Sequence, residues 1–151
     1  MATLPGAVLF VCNFNAVRSP MAEGLMKHLC GSRVFVDSAG VRHADAPDPF
    51  MVSAMDEIAI DMARHRPKTF EDVEDEAESY DVVITLSPEA HHRAIELTRW
   101  AAIEVEYWNT FDPTSIEGSR EVVLDAYRQV RDHLRRRIDR KFPAAAALPA
   151  I

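Results

Sequence analysis

The chain has 151 residues, with 24 acidic against 17 basic side chains and a formal net charge of −7. That length suits one ordinary domain, in which folding buries roughly 70% of the unfolded surface, so a core needs no metal or disulfide staple. With 48% apolar and 27% charged residues, the composition is that of a soluble globular protein; no apolar run approaches the ~20 residues of a membrane span, and an acidic surface repels nucleic-acid backbones. The stretch Met1-Ala-Thr-Leu-Pro-Gly6 lacks the cationic start and apolar segment of a secretory signal. Cys12 and Cys30 are too few for a disulfide framework or a cysteine zinc site. The expectation is a single cytoplasmic domain over residues 1–151 whose cysteines act as thiols, with neither nucleic acid nor membrane as partner.

Ala7-Val-Leu-Phe-Val11 is apolar throughout and reads as a strand buried on both faces, ending at Cys12. Ser19-Pro20 reads as a helix start, with Ser19 as N-cap and Pro20 at the first helical position. Met21, Leu25 and Leu29 form one stripe of that helix, and Gly31 stops it. Arg33-Val-Phe-Val36 reads as a second strand, closed by Asp37-Ser-Ala-Gly40. A loop with Pro47 and Pro49 precedes a helix over about residues 50–60. The run from Glu71 to Glu78 holds six acids in eight positions and reads as a solvated helical face, since calcium loops need their own spacing and a glycine. Tyr80 to Leu86 reads as a third strand, and Ser87-Pro88 opens a helix reaching about Leu97. Ile103 to Tyr107 reads as a fourth strand. The final helix spans about Ser119 to Lys141, with Val123, Tyr127, Val130, Leu134 and Ile138 on one face and basic residues near its C-terminal dipole. Residues 143–151 read as a frayed tail. Alternating strands and helices predict a parallel sheet with helices on both faces, and ligands in such sheets bind beyond the carboxyl ends of the strands. Cys12 stands at that edge.

The segment Cys12-Asn13-Phe14-Asn15-Ala16-Val17-Arg18-Ser19 joins a buried strand to a helix. Successive backbone N–H groups in such a turn form an anion-binding nest, and the helix N-terminus adds partial positive charge. Arg18 can grip two oxygens of a tetrahedral oxyanion. The same field favours thiolate over thiol at Cys12 and makes it a candidate nucleophile. Ser19 can also donate to the sulfur, and Asn15 is the residue suited to a left-handed conformation within the loop. A thiolate attacking a phosphate monoester needs an acid for the leaving oxygen. Asp112, in Trp108-Asn-Thr-Phe-Asp-Pro113 directly after strand four, is the candidate at the same sheet edge.

With Cys12, Asn15, Arg18, Ser19 and Asp112-Pro113 in these places, the chain resembles the low-molecular-weight protein tyrosine phosphatases and their thioredoxin-linked arsenate reductase relatives. The similarity extends through Asp37-Ser-Ala-Gly40, Pro47-Asp-Pro49, His65-Arg66, residues 80–86 and residues 127–134, nearly the whole chain. It implies a three-layer α/β fold with a four-stranded parallel sheet in the order 2-1-3-4. It also implies catalysis by Cys12, Arg18 and Asp112, phosphate held by residues 12–18, support from Asn15 and Ser19, and no cofactor or metal. The chain departs from the family at Phe14, where glycine is usual, at Val17, where tyrosine phosphatases often have cysteine, and at Thr114 and Ser115, where they often have aromatic residues. Phe14, His43 and Phe50 are candidates to wall the pocket instead.

Three functions compete. The first is hydrolysis of a phosphorylated protein or small phosphomonoester, phosphotyrosine foremost. The second is reduction of arsenate with an external thiol. The relatives' internal relay uses cysteines late in the chain, and none follows Cys30 here. Cys30 lies roughly 15–18 Å along the helix from Ser19 and reads as a core thiol. The third is an oxyanion-binding module without catalysis, against which Cys12 and Asp112 speak, since binding requires neither. His65, His91 and His92 do not make a metal site by spacing; His91 and His92 adjoin and point about 100° apart on a helix, so they read as solvated surface. Trp100 and Trp108 read as core or pocket wall. Oligomeric state is left open.

Overall fold

All six residues of Ala7–Cys12 (β1) are buried, because this strand lies inside a sheet covered on both faces. The structure is a computed structural model and describes residues 4–143. The helix α1 (Arg18–Cys30) leads to β2 (Phe35–Gly40), α2 (Pro49–Asp56) and α3 (Phe70–Glu74). There follow β3 (Val82–Thr85), α4 (Pro88–Ile95), β4 (Glu104–Tyr107) and α5 (Arg120–Lys141). The four strands are parallel, in the order β2-β1-β3-β4, as expected from the alternation of elements and from the family resemblance.

The period of two along β1 divides the core. Val8, Phe10 and Cys12 point to the layer of α1, α2 and α5, and Ala7, Leu9 and Val11 to that of α3 and α4. Trp108, directly after β4, is buried against Phe10 at 6.1 Å between ring centroids. Trp100 is exposed, contrary to expectation, because it follows the short turn after α4 beyond the reach of either core layer.

Several boundaries differ from the sequence reading. β2 begins at Phe35 and runs through Gly40, because it pairs residue for residue with all of β1. The helix expected to reach residue 60 stops at Asp56, where Ala59 turns the chain with φ of 62° and the amide of Ile60 bonds back to Met55 O. Only the first part of the acidic run is α-helical; Thr69 starts α3 with a capping box shared with Asp72. The basic end of α5 is partly engaged. Lys141 pairs with Glu104 at 3.0 Å and Glu106 at 2.6 Å, and Arg137 lies 5.2 Å over the Trp108 ring. Of the expected frayed tail, residues 144–151 lie outside the described residues.

The largest shift on a carboxylate here ties α2 to α5. Glu57, just past α2, receives Arg128 Nη2 at 2.7 Å and Arg131 Nη1 at 2.9 Å. The hydrogen bonds from Arg128, and then those from Arg131, hold its pKa down at about 2. A carboxylate with a depressed pKa stabilises the fold above its unfolded value and loses that contribution as the pH falls through the folded one. Glu57→Gln should therefore lower the melting temperature at neutral pH. The gap from the parent should shrink between about pH 4.5 and about pH 2, which thermal denaturation followed by circular dichroism can measure.

Candidate active site

The loop between β1 and α1 is held by its carbonyls. Cys12 O, Asn13 O and Phe14 O accept from the amides of Val41, Arg42 and Ala44 at 2.9, 2.8 and 3.0 Å. Asn15 O accepts from His65 Nε2 at 2.9 Å, Ala16 O from the amide of Asp48 at 3.2 Å, and Val17 O from that of Met21 at 3.1 Å. In a trans peptide the N–H points opposite to the carbonyl. Six carbonyls drawn outward therefore turn the amides of Asn13, Phe14, Asn15, Ala16, Val17 and Arg18 toward the centre of the loop. The α1 dipole points the same way. The result is a ring of inward amides with the geometry expected of a candidate anion cradle, and the side chain of Phe14 has not displaced it. Phe14 instead projects outward, 48% exposed.

Asn15 adopts φ of 55°, the left-handed conformation expected of it. Its Nδ2 donates to Ser19 Oγ at 2.8 Å and to Ser38 Oγ at 2.9 Å, and its Oδ1 accepts from the amide of Lys68 at 3.0 Å. Ser19 Oγ lies 2.9 Å from Cys12 Sγ and 3.2 Å from Ala39 O, and the Ser19 amide donates to the sulfur at 3.4 Å. Ser19 is therefore not the helix N-cap. The helix begins one residue earlier at Arg18, with Val17 in the cap position and no side-chain cap. The Ser19 hydroxyl is taken up by the thiol, Asn15 and Ala39.

Behind these residues Ser38 donates to the buried carboxylate of Glu23, which Lys27 also meets at 2.5 Å. Burial pushes the His65 pKa down, consistent with a neutral ring whose proton sits on Nε2 against Asn15 O.

Arg18 is buried, and its Nη1 donates to Thr110 O at 3.0 Å. The segment after β4 is itself fixed to β3, through the amide of Trp108 on Thr85 O at 2.7 Å and that of Thr110 on Leu86 O at 3.1 Å. Asp112 follows two residues on. Its Oδ1 accepts from the amide and hydroxyl of Thr114 at 3.0 and 2.7 Å. Its Oδ2 stands 3.9 Å from Arg18 Nη2, and the side chain is 44% exposed. The structure thus brings Cys12, Arg18, Ser19 and Asp112 to one sheet edge. The proposed aromatic walls are less uniform. Phe14 and His43 are exposed, whereas Phe50 is half-buried and packs on Tyr127 at 5.4 Å between centroids.

Several participants had not been singled out from the sequence: Ser38, Glu23, Lys68, Thr110 and Ser87, whose Oγ donates to Asn13 Oδ1 at 2.6 Å. His65 was noted for the resemblance and set aside as a metal ligand. Ser38, Lys68, Ser87 and Thr110 lie 23 to 92 positions from the residues they bond, and Glu23 acts through Ser38, so no local spacing reports them. Among the described residues no cluster of three or more metal-ligating side chains is present, and no helix is long and apolar enough to cross a membrane.

Gly40 ends β2 against the back of the loop. A Cβ there would lie 2.3 Å from Arg42 O, 2.7 Å from the Asn15 nitrogen and 2.9 Å from the Phe14 carbonyl carbon, all backbone. Gly40→Ala should therefore displace the loop and cost about 1–3 kcal/mol, read as a lower urea midpoint together with weaker oxyanion binding.

The model of the family "low molecular weight phosphotyrosine protein phosphatase" matches residues 7–145. The arsenate reductase of Halalkalibacterium halodurans is 33% identical over 131 residues, covering 87% of this chain and 91% of that protein. The glutaredoxin arsenate reductase of Synechocystis sp. is 32% identical over 133 residues, covering 87% and 92%. A solved arsenate reductase in its phosphate-binding state superposes with a TM-score of 0.71 at 29% identity, covering 92% of this chain and 98% of that one. Matched by that family model over residues 7–145 and by these relatives over most of its length, the chain belongs to the low-molecular-weight phosphotyrosine protein phosphatase family, within which arsenate reductases share the fold.

Proposed function

We propose that the protein is a phosphomonoester hydrolase acting through a phosphocysteine, with protein phosphotyrosine as its first substrate class. The observation that carries this reading is Asp112, whose Oδ2 is left free of hydrogen bonds beside Arg18 while Thr114 occupies Oδ1. Residues 12–18 hold the phosphoryl oxygens with the inward amides and with the Arg18 N–H groups not bonded to Thr110. The Cys12 thiolate attacks phosphorus, the ester bond breaks, and Asp112 gives its proton to the departing oxygen. Asp112 then takes a proton from water, which attacks the phosphocysteine and releases inorganic phosphate and the Cys12 thiolate. Ser19 and Asn15 hold the sulfur in line through both steps. No cofactor enters.

Arsenate reduction is the second reading, favoured by the names of the relatives. In that reaction Cys12 attacks arsenic, and a second thiol must break the resulting bond, the two sulfurs supplying the electrons as a disulfide. Cys30 is buried at the far end of α1 and burial pushes its thiol pKa up, so the resolving thiol would come from outside the chain, such as a small thiol or a glutaredoxin. A module that only bound oxyanions would need neither Cys12 nor Asp112.

Phosphotyrosine-peptide hydrolysis measured beside thiol-dependent arsenate reduction decides between these readings, and hydrolysis is expected to be the faster. Cys12→Ser should abolish turnover while still binding phosphate or sulfate; undiminished hydrolysis would remove Cys12 from the mechanism.

Asp112→Asn should slow hydrolysis of tyrosyl or alkyl phosphates about 10²–10⁴-fold. The loss should be smaller for an activated aryl phosphate whose leaving group departs as a stable anion, when burst kinetics isolate formation of the phosphocysteine. Equal losses for good and poor leaving groups in the burst would make Asp112 a residue that only shapes its loop.

A further inference from the structure

A groove of about 900 Å³ runs along the outer face of α5 and ends at the segment that carries Asp112. Phe111, Ile116, Val122 and Ala126 form its apolar floor. Phe111 and Val122 are 58% and 53% exposed. Exposed apolar side chains gathered in one groove mark an interaction surface more strongly than the same residues scattered singly.

The charges beside this floor are segregated along the helix. Toward the N-terminal end, Arg128 meets Glu57, Glu121 and Asp125, three carboxylates on one guanidinium group. That end therefore carries surplus negative charge. Toward the C-terminal end stand His133, Arg136 and Arg140; among the described residues neither Arg136 nor Arg140 has an ion pair. Val122, Ala126, Gln129, His133, Arg136 and Arg140 follow one another at steps of three or four, so they share one face of α5.

We propose that this face binds a second copy of the chain, with the two α5 helices antiparallel about a two-fold axis near Gln129. About that axis residue 125 faces residue 133 of the second copy and residue 122 faces residue 136. Asp125 then meets His133 and lies one turn from Arg136, the acidic end of each helix covers the basic end of the other, and every such contact occurs twice. A two-fold interface must be self-complementary in this way. Phe111 and Val122 of both copies become buried at its rim. The groove is separate from the anion cradle, so this association does not depend on the reaction proposed above.

Sedimentation equilibrium from about 1 μM to about 1 mM protein, in low and high salt, tests the proposal. A monomer–dimer equilibrium that weakens with salt is expected. Val122→Lys, Asp125→Lys and Arg136→Glu should each weaken dimerisation at least tenfold, with circular dichroism confirming an unchanged fold. The double variant Asp125→Lys with Arg136→Glu should regain dimerisation, because reversing both signs restores the complement across the two-fold axis. A monomer at every concentration, a dimer indifferent to these substitutions, association beyond the dimer, or a double variant no better than the single ones would each overturn it.

Discussion

The candidate anion cradle depends on carbonyls being pulled outward. Each peptide from Cys12 to Val17 could face either way, and amides face the centre only because partners outside the loop hold the opposite oxygens. Those partners come from the segment after β2, from the residue capping α2, from His65 and from the first turn of α1. A free peptide of the same sequence would lack them and would lose the cradle to conformational entropy, at roughly 1–2 kcal/mol for each residue that must be ordered. The sheet is therefore part of the site, because the parallel pairing of β1 with β2 brings residues 41–44 to the loop.

The same constraint explains the polar residues buried where an apolar core would be expected. Asn15, Ser19, Ser38 and Glu23 are all buried, and each is hydrogen-bonded. A buried polar group left without a partner costs about 1–3 kcal/mol. Replacing one member of this network therefore strands its neighbours, and the effect passes through Asn15 and Ser19 to Cys12. Rigidity under the thiol comes from this satisfied network, whereas the apolar layers on either side supply the bulk of the burial.

The residues that would meet a substrate are built differently. Cys12 and Arg18 are buried on the rigid edge of the sheet, while Asp112 and Phe14 project into solvent. Trp108 and Thr110 clip the Asp112 segment to β3, which fixes the distance from Arg18 without burying the carboxylate. Chemistry set on a fixed frame and recognition set on exposed loops is a common division. Phe14, Thr114 and Ser115, where the sequence departs from the family it resembles, are all exposed.

The alternation of apolar runs with amphipathic helices was enough to determine a parallel α/β sheet, and the strand–loop–helix context of Cys12 and Arg18 was enough to place both at one edge of it as a candidate site, since both are patterns of near neighbours. The role of Ser19 was legible only in part. Its contact with the sulfur follows from spacing, but the helix starts one residue earlier, and the hydroxyl instead accepts from Asn15 and donates to Ala39 O. The extent of β2 was likewise decided by pairing with β1, and the exposure of Trp100 by the distance of its turn from both core layers. The residues that shape the loop from behind, Ser38, Glu23, His65 and Lys68, lie up to 53 positions from the residue they hold. Hydrogen bonds between groups so far apart in the chain leave no period or spacing to read, and only the folded sheet brings them together.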